Sequence, residues 1–360
     1  MIGKYRYFYA GGNTPEGFIS YYSDVMPQEQ AFRIFCIKGG PGTGKSTFMK
    51  YIGKHYLELG IDVDYLKCSS DPESIDGIVL KNKSIAFLDG TSPHITDPIN
   101  PGAVDEIIDL AKFIDIGKLE NKKADIIKLV NTISAAFQYA YVYLNCAGAE
   151  YDHLNKIFNR YVDETSVVKF ISYLDLPNEK SINGRKKRYF GSSINSQGMV
   201  NELSGLVSGI DNVYLVDMPA GYKNGFLMKN ISEEIIRRGY DVEELYCPLL
   251  PRALPEHIIS TEANIAVLTC NEFHDKNIFD GNNVTDIKSV NIKDIYEIDK
   301  TGINEMKKDM KSNIDKAITA LKHAKAMHDD LENYYVDAMD FSGVDNCKSE
   351  MIEKIDELIG

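Results

Sequence analysis

The sequence has little positive charge, and this shortage excludes several classes of partner. Lys and Arg number 40 against 53 Asp and Glu, which gives a net charge of −13 at pH 7. General affinity for nucleic acid or for an anionic membrane requires a basic surface, so neither is an expected partner. One local basic run, Arg185-Lys186-Lys187-Arg188, is the exception.

Motifs of other protein classes are also missing. The six cysteines form no CxxC pair, and their spacing suits neither a zinc site nor a small disulfide framework, so reduced thiols in a cytoplasmic protein are expected. The N-terminus, MIGKYRYFYAGG, has no apolar signal core. Lys128, Asn131 and Gln138 interrupt the most apolar long window, residues 126–144, which argues against a membrane span.

What the sequence does contain is an internal repeat. The total of 360 residues corresponds to about two domains at roughly 150 residues each. Segments recur in the same order at nearly constant offsets of 179 to 182 residues: 6–8 with 188–190, 33–52 with 212–231, 59–68 with 238–247, and 84–94 with 264–274. This order predicts that the chain is a tandem duplication.

Each repeat also contains a long apolar pattern with helical spacing. Apolar or small residues recur in alternating steps of four and three from Ile126 to Tyr161, and largely again from Ile303 to Ala338. The pattern predicts a helix of about 54 Å in each repeat, with Gly148 as a point where the first could be interrupted. Two interpretations stay open: a helix that caps its own domain, and a projecting arm or a seam between the halves.

A glycine-rich segment in the first repeat matches the phosphate-binding P-loop pattern GxxxxGK[ST]. It reads GGPGTGKST over residues 39–47, between an apolar strand and a helix-forming stretch. Its glycines let backbone N–H groups surround a phosphate, and the following helix offers its N-terminus to the anion. The predicted nucleotide-binding residues are Gly40, Gly42, Thr43, Gly44, Lys45, Ser46 and Thr47.

Three of the site's predicted roles follow from this motif and its context. Lys45 would reach the β- and γ-phosphates, and the Ser46 hydroxyl would ligate Mg²⁺. Asp89 ends an apolar strand and is the predicted Walker B acid, the second residue of the magnesium site. Gly90 stands where many vigorous ATPases have a water-activating Glu, so fast hydrolysis is not expected.

Other polar residues follow the strands of the first repeat. Ligands of open α/β sheets lie at the carboxyl ends of strands, so Asp71 and Asp76 could point toward the γ-phosphate or an acceptor, or could simply cap their loop. His94 could sense the γ-phosphate or order a water. Its counterpart His274 remains in the repeat that has lost other site residues, which favours a structural role. The candidate catalytic residues are Lys45, Asp89, Asp71 and His94.

The second repeat lacks the phosphate chemistry. Asn224 stands in place of the P-loop Lys, Gly225 in place of its Ser, and Thr269 in place of the Walker B Asp. Lys223 lies one residue early. The sequence therefore predicts two similar folds and one working site.

The predicted fold class is α/β. The sequence of each repeat predicts the same elements in the same order. They are a short strand, a helix (residues 16–26 in the first copy), a buried strand, the glycine-rich turn, a helix, two strands and a final helical region. This order gives two tandem P-loop NTPase-like domains, each with a parallel-sheet core and a long helical extension, the second degenerate. The predicted domains are residues 1–176 and 185–360, joined by a polar linker at 177–184.

With these residues in hand, the chain resembles a family of tandem P-loop proteins from Gram-positive bacteria, catalogued as uncharacterised ATP-binding proteins, ATPases or nucleotide kinases. The motifs that carry the resemblance are RYFYAGGNTPEG, GGPGTGKST, CSSDPESIDG and FLDGTSPH, the last followed by ITDPINPGAVDEI. The resemblance implies that Lys45, Ser46 and Asp89 bind nucleotide and magnesium. Family members commonly have a second P-loop, from which this chain departs at Asn224 and Gly225.

The predicted function is binding of ATP, or of another NTP, with slow Mg²⁺-dependent hydrolysis at the first repeat. ATP is favoured over GTP because the guanine-reading NKxD motif is missing, and residues 121–124 read NKKA. One alternative is an ATP-dependent small-molecule or nucleotide kinase, which the scarcity of Arg in the first half disfavours. The other is a nucleotide-gated interaction or scaffold protein with little turnover, in which the helical extensions contact a protein partner or mediate self-association.

Overall fold

The computed structural model describes residues 2–91, 96–158, 160, 169–218, 225–275, 277, 284–289 and 300–360. The chain separates into two compact units made of non-contiguous segments. The first contains Met1–Gly11, Ser20–Tyr139 and Thr319–Gly360, and the second contains Gly12–Ile19 and Ala140–Ile318. Residues 177–184, the expected linker, therefore lie within the second unit.

Among residues 2–91 and 96–158, the first repeat has eight strands and four helices, with 3₁₀ turns at Lys81–Lys83 and Ala111–Phe113, and residues 169–172 are also helical. The strands are β1 (Tyr5–Phe8), β2 (Gly11–Thr14), β3 (Gly17–Ser20), β4 (Arg33–Lys38), β5 (Val63–Lys67), β6 (Ile75–Leu80), β7 (Ile85–Asp89) and β8 (Asp105–Asp109). The helices are α1 (Tyr22–Val25), α2 (Lys45–Glu58), α3 (Ile116–Glu120) and α4 (Lys123–Phe158).

The described elements of the second repeat follow a similar order. The strands are β9 (Lys186–Phe190), β10 (Ser192–Asn195), β11 (Gly198–Asn201), β12 (Asn212–Asp217), β13 (Val242–Tyr246), β14 (His257–Ser260), β15 (Ile265–Cys270) and β16 (Val284–Ser289). The helices are α5 (Leu203–Leu206), α6 (Gly225–Arg237), α7 (Lys300–Val336) and α8 (Phe341–Ile359).

The central sheet of each unit has six strands. The order is β1-β5-β6-β7-β4-β8 in the first unit and β9-β13-β14-β15-β12-β16 in the second. Each strand of one sheet has its counterpart at the same place in the other, in agreement with the sequence repeat. The apolar runs of β4 and β7 are buried because strands in the middle of such a sheet are covered on both faces.

The sheets contain the expected parallel strands, but each is mixed because it also includes an antiparallel strand. β6 runs antiparallel to both β5 and β7, and β14 does the same between β13 and β15. The prediction of a helix over residues 16–26 is wrong for the first half of that segment. There Gly17, at φ +92°, permits a tight turn between β2 and β3, and only Tyr22–Val25 is helical.

Helix α8 completes the core of the first unit. Its apolar residues recur every three or four positions, as a helix that buries one face requires, at Val344, Cys347, Met351 and Ile355. They belong to the same buried cluster as the apolar face of α2. The Tyr56 hydroxyl of α2 donates to Asp356 Oδ1 at 2.9 Å and ties the two helices together.

Helices α4 and α7 confirm the predicted long helices, and each contributes to both units. α4 passes from the first unit to the second after Tyr139, and α7 passes from the second to the first after Ile318. Gly148 does not break α4. A Cβ there would lie 2.4 Å from Pro15 Cγ, so the glycine lets Pro15 pack closely against the helix. Among the described residues, no helix combines the length and apolarity needed to cross a bilayer.

Candidate phosphate-binding site

The P-loop segment, residues 39–47, connects β4 to α2 in the first unit. Gly42 (φ +67°) and Gly44 (φ +83°) adopt left-handed backbone conformations that other residues rarely tolerate. The Thr43 hydroxyl, which is buried, donates to the Gly40 carbonyl at 2.9 Å and braces the turn. Lys45 is the first residue of α2, so the loop ends at a helix N-terminus, which favours an anion.

Lys45 lies inside the turn that its own loop makes. Its Nζ donates to the carbonyls of Gly39 at 3.2 Å and Gly40 at 2.8 Å, and it lies 3.7 Å from Asp89 Oδ2. β4 and β7 are parallel neighbours, with Ile37 paired to Asp89, so the loop and the acid meet at the same sheet edge. The structure thus brings together the predicted phosphate-binding cation and the predicted metal-holding acid.

Two oxygen ligands suited to magnesium are held from different elements. Asp89 is buried, and its Oδ1 accepts from the N–H and hydroxyl of Thr91, while its Oδ2 faces Lys45. The Ser46 hydroxyl accepts from the Ile75 N–H at 3.0 Å, which joins α2 to the start of β6. Carboxylate and hydroxyl oxygens are hard donors of the kind that Mg²⁺ prefers. Thr47, also predicted to bind nucleotide, lies exposed in the first turn of α2.

Packing explains why residue 90 is a glycine. A Cβ on Gly90 would lie 2.9 Å from Cε and Nζ of Lys38 and 2.9 Å from the Thr96 carbonyl. Lys38 Nζ donates to the carbonyls of Gly90 (2.7 Å) and Thr96 (3.1 Å) and pairs with Asp97. A glutamate after Asp89 therefore does not fit without displacing this lysine.

Asp71 lies in the loop between β5 and β6. Its Oδ2 accepts from the Ser74 hydroxyl at 2.7 Å, and its Oδ1 lies 3.4 Å from Lys325 Nζ on α7. Burial lowers the pKa of Lys325, but Asp329 and Asp71 outweigh it and raise that pKa above its ordinary value. Asp71 thus closes its own loop and holds a charged lysine of α7. Its predicted catalytic role stays a prediction.

Asp76 is buried at the start of β6. Its Oδ2 accepts from the Tyr22 hydroxyl at 3.0 Å, and its carboxylate is also hydrogen-bonded to the Cys68 thiol. Burial first, and then the charge of Asp76, raise the pKa of Tyr22 and of Cys68 well above their usual values, and Asp89 adds a smaller effect at Tyr22. Tyr22 is a site residue that the sequence patterns did not identify.

The last turns of α7 contact the P-loop segment. A Cβ on Gly40 would lie 3.0 Å from the Tyr335 ring, and one on Gly42 would lie 2.8 Å from the Glu332 carbonyl. These glycines therefore also permit helix packing. No motif predicted these contacts, because the residues lie almost 300 positions away in the sequence.

Two predicted features lie outside the described residues. His94 is one, and residues 219–224, which correspond to most of the P-loop in the second repeat and include Lys223 and Asn224, are the other. Gly225 begins α6. Arg252 pairs with Glu16 at 2.6 Å within the second unit.

The corresponding sheet edge of the second unit holds Glu256, His257 and His274, all buried and with one potential metal-ligand atom each within 4.8 Å of the others. Geometry argues against a metal here. The Thr269 N–H donates to His257 Nδ1 at 3.0 Å, so the proton of the neutral ring is on Nε2, which lies 3.8 Å from Glu256 Oε2. A protonated nitrogen has no lone pair for a metal, and metal-bound histidines usually donate through the other nitrogen.

A second such group, His328, Asp329 and Glu332, lies on α7. His328 Nδ1 is 3.7 Å from Glu332 Oε1 one turn along the same helix, and Asp329 is exposed and pairs with Lys325. These are the ordinary contacts of neighbouring residues on a helix face.

Comparison with protein-family models, with curated proteins and with solved structures finds no match to this chain.

Proposed function

We propose that the chain binds ATP at the first unit and hydrolyses it slowly with Mg²⁺. One observation carries the proposal: Lys45 Nζ lies within the left-handed turn of the P-loop segment and 3.7 Å from the buried Asp89 carboxylate. A lysine, a helix N-terminus and an acid at adjacent strand ends are what binding of a magnesium–phosphate group requires.

Each residue then has a defined task. The backbone N–H groups of residues 42–46 would surround the β-phosphate, and Lys45 would move from the loop carbonyls to the β- and γ-phosphates. Ser46 and Asp89 would hold Mg²⁺, directly or through its water shell. The ion would neutralise negative charge on the β- and γ-phosphates. Position 90 is a glycine packed against Lys38 and so supplies no water-activating carboxylate, which supports slow turnover.

Phosphoryl transfer to a small molecule is less well supported. Arg6 is engaged by Asp64 at 3.0 Å, and Arg33 begins β4, at the sheet edge opposite the P-loop segment. Neither can cover the phosphates of a donor and an acceptor. A kinase usually supplies several such cations.

A nucleotide-gated interaction protein is a second candidate, and a specific contact favours it. α7 packs on Gly40 and Gly42 in the first unit and continues into the second, so nucleotide at the loop would act on a helix that both units share. Protein partners or self-association through the long helices belong to this candidate. A cytoplasmic location is part of the proposal in either case, and all six cysteines are free thiols.

The test combines phosphate release with thermal unfolding in a panel of Mg²⁺–nucleotides. Nucleotide at one hundred times its Kd should stabilise the protein by about 2.7 kcal/mol. Lys45→Ala should lose both stabilisation and release. Lys54→Ala is the matched control, because Lys54 lies on the same helix, is exposed, and pairs only loosely with Glu58 at 3.8 Å.

The outcomes separate the candidates. Release that Lys45→Ala abolishes and Lys54→Ala preserves supports the ATPase. Stabilisation without release supports the gated protein. If no nucleotide stabilises the wild-type protein or is hydrolysed by it, both candidates are wrong.

A further inference from the structure

Asp76 and Asp89 lie at the same end of adjacent strands. Gly77 of β6 pairs with Leu88 of β7, so the next residues in this register are the two aspartates. On the other side of β6 the register shifts, because Leu66 pairs with Gly77 but Lys67 pairs with Ile75. Asp76 is therefore the extra residue of a β-bulge, a feature that redirects a side chain next to a binding site.

Two further links place Asp76 beside the metal-holding residues. The residue before it, Ile75, donates its N–H to the Ser46 hydroxyl at 3.0 Å. The Tyr22 hydroxyl, which donates to Asp76, also lies in the electrostatic field of Asp89. Asp76 is thus connected to both predicted magnesium residues, one through the backbone and one through a shared neighbour.

Two protonated side chains orient the Asp76 carboxylate. Tyr22 and Cys68 stay protonated because burial and the neighbouring carboxylate raise their pKa values. Both donate a hydrogen bond to that carboxylate, so it is held by fixed donors beside the predicted magnesium residues.

We propose that Asp76 is the base of the reaction, in place of the glutamate that is missing at position 90; this inference rests on the proposed ATPase function. The oxygen of a water molecule bonds to the γ-phosphorus while one of its protons passes to the Asp76 carboxylate. The bond between the γ-phosphorus and the bridging oxygen breaks, and ADP leaves with the electron pair. Asp76 returns the proton to solvent as phosphate departs.

The experiment measures kcat, KM, the Mg²⁺ concentration for half-maximal rate, and ATP-induced thermal stabilisation for Asp76→Asn. The expected result is a fall in kcat of about 10²- to 10⁴-fold with ATP stabilisation and the Mg²⁺ midpoint retained. Asp105→Asn is the matched control. Asp105 is equally buried and accepts from the N–H groups of Ile99 and Asn100, but it lies at the opposite ends of the strands from the P-loop segment. Loss of its carboxylate should therefore lower stability and leave kcat unchanged.

Tyr22→Phe gives a second readout that survives if Asp76→Asn folds poorly. Loss of a hydrogen bond to the charged carboxylate raises its pKa, so the acid limb of the kcat–pH profile should move to higher pH. A purely structural Asp76 would leave the position of that limb unchanged.

Several results would overturn the proposal. One is a wild-type kcat in Asp76→Asn while Lys45→Ala is inactive, which leaves the ATPase function standing. A second is an Asp76→Asn rate restored by excess Mg²⁺, which makes Asp76 a metal ligand. A third is an acid limb that Tyr22→Phe does not move. If wild-type protein hydrolyses no nucleotide, the ATPase function and this proposal fail together.

Discussion

The two units have the same strand order but different side chains at the corresponding strand ends. In the first unit, Asp76 and Asp89 follow the Gly77–Leu88 pair of β6 and β7. In the second, Glu256 and Thr269 follow the His257–Leu268 pair of β14 and β15. The second edge thus replaces one acid with a neutral hydroxyl, which donates to the Glu256 carbonyl at 2.8 Å.

The comparison indicates that the fold and the proposed phosphate chemistry depend on different residues. Buried apolar strand residues such as Phe35 and Phe87, whose rings stack at 4.6 Å, hold the first sheet together. The second unit has equally buried apolar strands without Lys45 or Asp89 counterparts. A duplicated domain can therefore keep its sheet while the strand ends acquire other side chains.

The largest expected effect comes from giving the first unit the residue of the second. Asp89→Thr removes the carboxylate that faces Lys45 but keeps a hydroxyl, as at Thr269. We expect at least a 100-fold fall in phosphate release, about 2.7 kcal/mol of lost transition-state stabilisation. Steady-state assays across a Mg²⁺ titration measure it. Wild-type turnover in this variant would show that the difference between Asp89 and Thr269 does not explain a functional difference between the two units.

An intermediate effect is expected at the loop backbone of the first unit. Gly42→Ala places a Cβ on a residue at φ +67° and 2.8 Å from the Glu332 carbonyl, so we expect a loss of about 1–3 kcal/mol in unfolding free energy. Denaturant titration measures it. Gly205→Ala is the control in the second unit, where a Cβ meets nothing within 4 Å. Equal stability of the two variants would contradict the requirement for a left-handed backbone at Gly42.

The smallest effect concerns the buried histidine of the second unit. Burial lowers the pKa of His274 below its usual 6.5, and Glu256 opposes this only in part. The unfolded chain then binds the proton more readily, so stability should fall as pH drops from about 7 to about 5. His274→Gln should flatten this dependence in melting curves, and His153→Gln, at an exposed position, should not. Parallel curves for His274→Gln and the wild-type protein would refute the assignment.

The sequence predicted the local parts of the site and the repeated order of strands. Lys45, Ser46 and Asp89 were found because each follows directly from a motif or from the end of an apolar run. β6 was missed because Gly77 interrupts its pattern. That glycine is required by packing, since a Cβ there would lie 2.6 Å from Leu66 Cδ1 and 2.9 Å from the Phe87 carbonyl.

Contacts between distant segments could not be read from periodicity. The heptad spacing predicted α4 and α7, but nothing in it indicates that Lys325 pairs with Asp71 or that Tyr335 packs on Gly40. These contacts depend on where a helix ends in space. The apolar stripe of α8 likewise fits any helix-binding surface, and only the fold assigns it to α2.

The position of α8 has a consequence for synthesis of the protein. Its apolar side chains are part of the core beneath α2, although the two helices lie almost 300 positions apart in the sequence. The first unit therefore cannot complete its core until residues 341–359 have left the ribosome. The P-loop segment emerges well before α8, and during that interval it belongs to a unit whose core is unfinished.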